Sequence, residues 1–285
     1  MLAPMDLRPA SPALGTTVRG IDLRGPLAAD TRARLHAELE RTFLLHFPAQ
    51  HLSDDEHVAF VREFGPIAVE GTGTVGFVSN HLRHGILGSG AATFHIDYGF
   101  TDAPYEYLSL YGLEVPRSGA ETWFANAVAA ARDLPDALRV RLAGVQARAA
   151  VDVTSEVREE GVRIDLGRLD ETYPHAVRPV LWPHRTTGDP VLAVWEQQTD
   201  ALLPLPDADS TALIRELFAH LYRPDHVMVH RWEPGDLLLW DNHAVQHARP
   251  AVGIAERRTL RRVCVGTTPD LSIFADRMRA RTHAS

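Results

Sequence analysis

The stretch TFHIDYGF, Thr93–Phe100, sets two polar side chains, His95 and Asp97, into a run of aromatic and β-branched residues. Such a run reads as a β-strand. On a strand, residues i and i+2 point to one face, so the imidazole and the carboxylate would stand side by side and aim at one point. Such a pair is either an ordinary His–carboxylate hydrogen bond or two members of a metal-ligand set. The rest of the chain has to decide between them.

Outward from this stretch the β signal continues. Strand-like runs cover Tyr105–Glu114, Glu121–Phe124, Val177–Trp182, Val191–Trp195, His226–Trp232, Asp236–Trp240 and Thr259–Val265. Turns rich in Gly and Pro, such as the HRTTGDP segment from His184 to Pro190, break them up. Helical spacing of Leu35, Leu39, Phe43 and Leu44 predicts a helix between Thr31 and Phe47. A second fits Asp54–Phe64, with Ser53 as cap and Glu56 at capping-box distance. Ala127–Arg132, Pro135–Leu142 and Ser210–Leu221 are also helical in pattern. Many short strands with a few helices imply a mainly β fold with flanking helices, two sheets packed as a jelly roll. There is no internal repeat and no linker, so residues 1–285 read as a single domain. Residues 70–92 are Gly-rich and residues 153–175 charged and aperiodic, which makes both candidate lid segments.

Composition narrows the function classes. With 285 residues, 45% hydrophobic and 23% charged, the chain can bury a substantial core. A net charge of −8 and the lack of a basic stripe argue against a nucleic-acid surface. All 29 basic residues are arginine, the imprint of a GC-rich coding sequence. The single Cys264 excludes an intramolecular disulfide framework and a cysteine-based zinc site. The N-terminus lacks a basic segment followed by an apolar one, and no apolar run is long enough to span a bilayer. The expectation is a cytoplasmic, enzyme-sized protein with a small-molecule partner, engaging neither nucleic acid nor membrane.

A third ligand for the His95 and Asp97 pair would come from far along the chain. The stretch WDNHAVQHARP, Trp240–Pro250, follows a strand-like run and offers His243 and His247. Two histidines and one carboxylate form the facial triad that leaves positions open on ferrous iron. Open positions call for a chelating cosubstrate, and a dicarboxylate such as 2-oxoglutarate needs a cation at its far end. Arg258, in the cluster Arg257, Arg258, Arg261 and Arg262, follows closely enough for a return strand to bring its guanidinium back beside the metal. On that strand Arg258 and Arg262 share one face, whereas Arg257 and Arg261 point to the other, toward solvent or acidic neighbours.

These residues together resemble the taurine and 2,4-dichlorophenoxyacetate dioxygenase family, iron(II)- and 2-oxoglutarate-dependent oxygenases built on a double-stranded β-helix of cupin-like type. The family motif runs His-x-Asp, then a Thr or Ser about two dozen residues on, then a distal His and shortly afterwards an Arg. Here those positions are His95, Asp97, Thr122 in GAETWFAN, His247 and Arg258. PHRTTGDPVL and RWEPGDLLLWDN also match the family's core-strand segments, and the likeness spans roughly residues 30 to 270. The resemblance implies iron(II) held by His95, Asp97 and His247, and 2-oxoglutarate held by Thr122 and Arg258. Dioxygen is the second cosubstrate, and succinate and carbon dioxide are released. It assigns His247 over His243, because the family carries Arg where His243 stands and its ligand four residues later. Asp97 retains the carboxylate that related halogenases lack, so hydroxylation is the expected outcome. Homo-oligomers are common in the family.

The substrate pocket is where the chain departs from its relatives. Taurine enzymes bind the sulfonate with an Arg that matches Arg262 and with a His whose place is taken here by Glu70, which would repel a sulfonate. Ala91 and Ala193 replace larger family residues, so the pocket should be wider. Arg262 and Glu70 would pair internally or bracket a zwitterion, and Tyr98, Phe100 and Trp195 would line an apolar wall. A carboxylate-bearing or amino-acid-derived substrate, of the kind met in specialised metabolism, is the expectation. The competing readings are a cupin-like metalloprotein that does not use 2-oxoglutarate, acting as isomerase, hydrolase or sensor, and a non-catalytic module whose His and Asp make buried hydrogen bonds.

Overall fold

The computed structural model describes residues 5–70, 73–117, 121–150, 175–253 and 256–268. In chain order, β1 (Asp6–Pro9) and β2 (Thr16–Arg19) precede α1 (Ala29–Thr42), β3 (Leu44–Phe47) and α2 (Asp54–Arg62). Next come β4 (Gly76–Ser79), β5 (Ile86–Leu87), β6 (Ala92–His95), β7 (Tyr107–Glu114) and β8 (Glu121–Asn126). α3 (Ala127–Arg132) and α4 (Asp136–Arg141) lead to β9 (Gln146–Ala150), β10 (His175–Pro179), β11 (Leu181–Pro183), β12 (Pro190–Leu192) and β13 (Thr199–Leu203). α5 (Asp207–Leu221) then precedes β14 (Val227–Arg231), β15 (Leu237–Asp241), β16 (Val245–Arg249) and β17 (Thr259–Val265).

Two sheets carry the architecture. One has eight strands in the order β1-β2-β3-β15-β7-β17-β4-β5, and the other four in the order β14-β8-β16-β6. Neighbours in space are distant in sequence, the signature of a double-stranded β-helix. The run Leu237–Trp240 shows why an apolar strand suits this place: its residues alternate between two cores. Leu238 and Trp240 pack with Leu108, Leu110 and Leu260 of the large sheet against Phe124, Met228 and Val245 of the small one. Leu237 and Leu239 face the other way, onto Leu35 and Leu39 of α1 and Phe60 and Val61 of α2. A third core gathers α3, α4 and α5 around β12.

Three sequence expectations are revised. The helix expected to run toward Phe47 stops at Thr42, because Phe43 takes a left-handed conformation (φ 61°) and Leu44–Phe47 pair with β15 instead. The strand expected through Phe100 ends at His95, and residues 97–100 form a turn in which Tyr98 has φ 59°. Within it, a Cβ on Gly99 would lie 2.6 Å from Gln198 Oε1 and 2.7 Å from Ile96, so only glycine fits. The segment 70–92 is not all loop: β4 is annealed to β17, with Gly76 opposite Arg262. Of the segment 153–175, residues 153–174 lie outside the described residues, and His175 opens β10.

The arginine cluster divides as its alternation predicts. Arg257 is exposed, near Glu114 at 3.9 Å. Arg261 also has an acidic neighbour, Asp54, but is buried rather than solvated. Its guanidinium donates to His57 Nδ1 (3.1 Å) and the Leu52 carbonyl (2.9 Å), which ties α2 to the sheet. Arg258 and Arg262, on the other face, are buried at the site described next.

Candidate metal centre

His95 closes β6 and His247 lies on the adjacent β16, where the antiparallel register sets them opposite one another. Their ring centroids are 4.2 Å apart. Asp97 reaches the pair from the turn rather than from the strand. Its Oδ1 lies 3.5 Å from His95 Nε2 and 3.6 Å from His247 Nε2, and the three ligand atoms fit within 4.8 Å. The same-face argument for a strand therefore does not produce this geometry. Asn242 does: its Oδ1 accepts the Asp97 N–H (3.0 Å), while its Nδ2 donates to the carbonyls of Asp97 (3.0 Å) and Tyr105 (2.9 Å). Asn242 is fully buried and was not singled out from the sequence, although it stands in the WDN segment that marks the distal His.

The surroundings of the three side chains suit metal binding. His95 Nδ1 lies 2.7 Å from the Thr93 carbonyl and donates to it, which fixes the ring with Nε2 turned toward Asp97. Burial, reinforced by neighbouring His95, pushes His247 down to about 3, so it is neutral at ordinary pH. For Asp97, burial by itself would raise the carboxyl. Arg262 and the two imidazoles more than offset that and hold it well below the usual carboxylate range. Two imidazoles and one carboxylate are a donor set suited to ferrous iron.

A cavity of about 110 Å³ extends from this triad and is lined further on by Leu108, Leu110, Trp240, Thr122 and Arg258. Thr122 Oγ1 accepts from Trp232 Nε1 (2.8 Å) and from Arg258 Nη2 (3.3 Å), so its own proton is available to an acceptor. Arg258 is 1% exposed, and its Nε and Nη1 are buried without a partner. Burial, with a second guanidinium at Arg249, lowers it to about 9. An unpaired buried guanidinium is costly, and the far carboxylate of 2-oxoglutarate is the partner it lacks. On that observation the residues fit both the metal and the dicarboxylate.

Arg249 lines the same cavity and was missed by sequence reasoning, though it stands two residues after His247. Its Nη2 donates to the carbonyls of Leu87 (3.1 Å), Gly88 (3.2 Å) and Gly90, while its Nε and Nη1 have no partner. It thereby fastens the segment around β5 over the cavity.

A wider cavity of about 700 Å³ opens on His95 and Asp97 and is bounded by Glu70, Phe77, Tyr98, Phe100, Gln198 and Arg262, among others. Tyr98 and Phe100 take the places expected of them. Trp195 does not: it is 1% exposed and packs with Ile96, Ala149 and Ala193, so Gln197 and Gln198 supply that wall instead. Arg262 is not a free cation. It is ion-paired to Glu70 and to the outer oxygen of Asp97, and the Tyr105 hydroxyl donates to the other Glu70 oxygen (3.0 Å). His243 belongs elsewhere, stacked on Trp182 (3.7 Å) and accepting the Arg185 N–H (3.3 Å) beside the Asp241–His184 pair.

Comparison with known proteins agrees with this geometry. The family model of the taurine catabolism dioxygenase TauD, TfdA family matches residues 6–264. The 2,4-dichlorophenoxyacetate dioxygenase of Cupriavidus pinatubonensis, named as alpha-ketoglutarate-dependent, is 29% identical, over 89% of this chain and 95% of the relative. The pentalenolactone F synthase of Streptomyces arenae is 30% identical, over 94% of each chain. Among solved structures, AAD-2 in complex with Mn(II) and N-oxalylglycine superposes with a TM-score of 0.78 at 22% identity, covering 94% of this chain and 99% of that one. The described residues include no helix long and apolar enough to cross a membrane. With its fold and nearly its whole length in common with these proteins, the chain belongs to the TauD/TfdA family and is an iron(II)- and 2-oxoglutarate-dependent dioxygenase.

Proposed function

We propose that this dioxygenase hydroxylates a small organic molecule with an apolar body and hydrogen-bond donors, amino-acid-derived in type, with His95, Asp97 and His247 as the iron ligands. The observation that carries this reading is the cavity with the His/Asp/His set at one end and the unpartnered Arg258 guanidinium at the other. A metalloprotein that did not use 2-oxoglutarate would leave that buried charge without a purpose.

Iron(II), 2-oxoglutarate and dioxygen supply the oxidation: one oxygen atom goes to the substrate as the cosubstrate becomes succinate and carbon dioxide. The chain's residues bind, orient and exclude. Arg258 and the Thr122 hydroxyl take the distal carboxylate and set how far the oxo-acid end reaches toward His95 and His247. Arg262 holds Asp97 in place through its outer oxygen, and Asn242 fixes the backbone behind it. Leu108, Leu110 and Trp240 keep water from the space between.

The substrate argument rests on the wider cavity. Arg262 is already satisfied by two carboxylates, so an anionic group on the substrate finds no free cation there, and the carboxylate-bearing expectation loses its anchor. The cavity is lined instead by the uncharged amide side chains of Gln197 and Gln198. An amine or hydroxyl on the substrate meets them, with Tyr98 and Phe100 against its apolar part. Residues 70–92 act as a lid over this opening within a single-domain chain, fastened through Arg249, and the protein assembles as a homo-oligomer.

The test is an anaerobic titration of metal-free protein with iron(II) and then 2-oxoglutarate, followed by its visible charge-transfer band. The band should form in wild type and vanish in Asp97→Ala. No band in fully loaded wild-type protein would refute the assignment of the site. Succinate release across a panel of amines, amino alcohols and organic acids then tests the substrate class, and a response confined to the acids would overturn it.

A further inference from the structure

A second set of two imidazoles and one carboxylate lies outside the site just described. His46 on β3, His230 on β14 and Asp236 in the turn before β15 bring their ligand atoms within 4.8 Å of one another. His46 Nε2 is 3.2 Å from Asp236 Oδ1, and His230 Nε2 is 3.1 Å from Asp236 Oδ2. We propose that His46, His230 and Asp236 bind a divalent metal ion of the zinc type, at a site distinct from the oxygenase centre.

The argument begins with an anomaly in hydrogen bonding. At such distances an imidazole beside a carboxylate normally donates its N–H to it. Here each Nε2 is buried in contact with an Asp236 oxygen, yet neither is aligned for a well-formed hydrogen bond to it. Buried polar atoms are nearly always satisfied, and each exception calls for an explanation. A metal ion supplies one, since a neutral imidazole presents a lone pair where the missing hydrogen bond would be.

The surroundings resemble the outer support of a metal site. Thr17 Oγ1 lies 3.3 Å from His46 Nδ1 and steadies that ring from behind. The Trp232 ring meets His230 edge-on, with centroids 4.8 Å apart at 89°. Asp236 is positioned by its own turn, where Oδ2 accepts the Glu233 N–H (2.9 Å) and Gly235 supplies a φ of 84°. The His46 and His230 side chains are 16% and 11% exposed, so the cluster lies close to the surface. Two imidazole nitrogens and one carboxylate, with no thiolate, suit zinc, cobalt or nickel better than calcium or magnesium.

The three ligands span both sheets. β3 is in the large sheet and β14 in the small one, so an ion would join the two sheets on the β14 side of the molecule. His230 is the register partner of Thr122, and Trp232 donates to the Thr122 hydroxyl. The proposed site therefore stands behind the residue that receives the distal carboxylate of the cosubstrate.

The experiment separates the two sites by disabling the first. Metal-free Asp97→Ala/His247→Ala protein is dialysed against zinc or cobalt, its metal content is measured, and its thermal melt is recorded with and without the ion. Retention of about one equivalent per chain, with a raised melting temperature and visible cobalt absorption, is expected. Adding His46→Gln should remove all three signals while the circular dichroism of the fold is kept. Overturning results are no bound metal in the double variant, or binding that survives both His46→Gln and Asp236→Asn. The single variant His46→Gln should still form the iron–2-oxoglutarate band, so failure of this proposal is distinguishable from failure of the oxygenase assignment.

Discussion

Arg258, immediately before β17, and Arg262, within it, stand four residues apart, and both are buried. Their surroundings are opposite. Arg262 has two carboxylates, Glu70 and Asp97, in contact with its guanidinium. Arg258 has a threonine hydroxyl and two unpartnered nitrogens, with no carboxylate in contact among the described residues. A satisfied buried charge holds the structure together, whereas an unsatisfied one is kept for a ligand. This contrast separates the residue ion-paired to Asp97 from the residue proposed to bind cosubstrate, although the chain writes both as Arg on one face.

Replacing each arginine by an apolar residue should give opposite results. Arg262→Leu leaves Glu70 and Asp97 facing each other unpaired. It should cost about 3–5 kcal/mol of stability in a urea melt and abolish iron binding. An Arg262→Leu protein as stable as wild type would break the comparison. Arg258→Met should leave the urea midpoint unchanged or raise it, while 2-oxoglutarate binding weakens by about 2–4 kcal/mol, roughly thirtyfold to several hundredfold. Calorimetric titration of the iron-loaded protein reads this directly.

The pH dependence of metal-free protein sharpens the picture of the metal end. His247, together with His243, is held neutral by burial at about 3 against an ordinary value of 6.5. The unfolded chain binds these protons below 6.5 and the folded chain does not. That contribution to stability is therefore complete above 6.5 and declines as pH falls toward 3. Denaturant melts across this window should show a steady loss of midpoint, and iron(II) should suppress the part due to His247. A flat profile in metal-free protein would contradict the burial argument.

Smaller effects probe the neighbours. Tyr105→Phe removes the donor to Glu70 and should cost about 1 kcal/mol while iron binding persists. Arg249→Gln releases the carbonyls around Gly88, so trypsin should cleave at Arg83 faster than in wild type, with 2-oxoglutarate slowing cleavage in both proteins. Equal cleavage rates would sever Arg249 from the lid.

Much of the site was legible because its parts carry local signals. The His95 and Asp97 spacing, the Thr in GAETWFAN, and Arg258 shortly after His247 are short patterns whose chemistry requires those residue types. The capping box at Ser53 and Glu56 was equally plain and is formed as expected. What escaped was set by contacts between distant segments. Trp195 reads as a pocket aromatic until Ile96, Ala149 and Ala193 are seen around it. Glu70 had alternative positions until β4 placed it beside Arg262. Asn242 and Arg249 were in plain view, but their partners lie more than a hundred residues upstream.

The sequence by itself determined the class of fold and picked out the three candidate ligands and the candidate cation for the cosubstrate, because periodicity and motif spacing are local properties of the chain. Tertiary structure alone decided that Asp97 reaches the metal from a turn clamped by Asn242, that Glu70 occupies Arg262, and that His46, His230 and Asp236 meet at all. Each of these depends on strand pairing and side-chain packing across large separations. The free energy of such contacts depends on which surfaces are buried together, and no short window of sequence contains that.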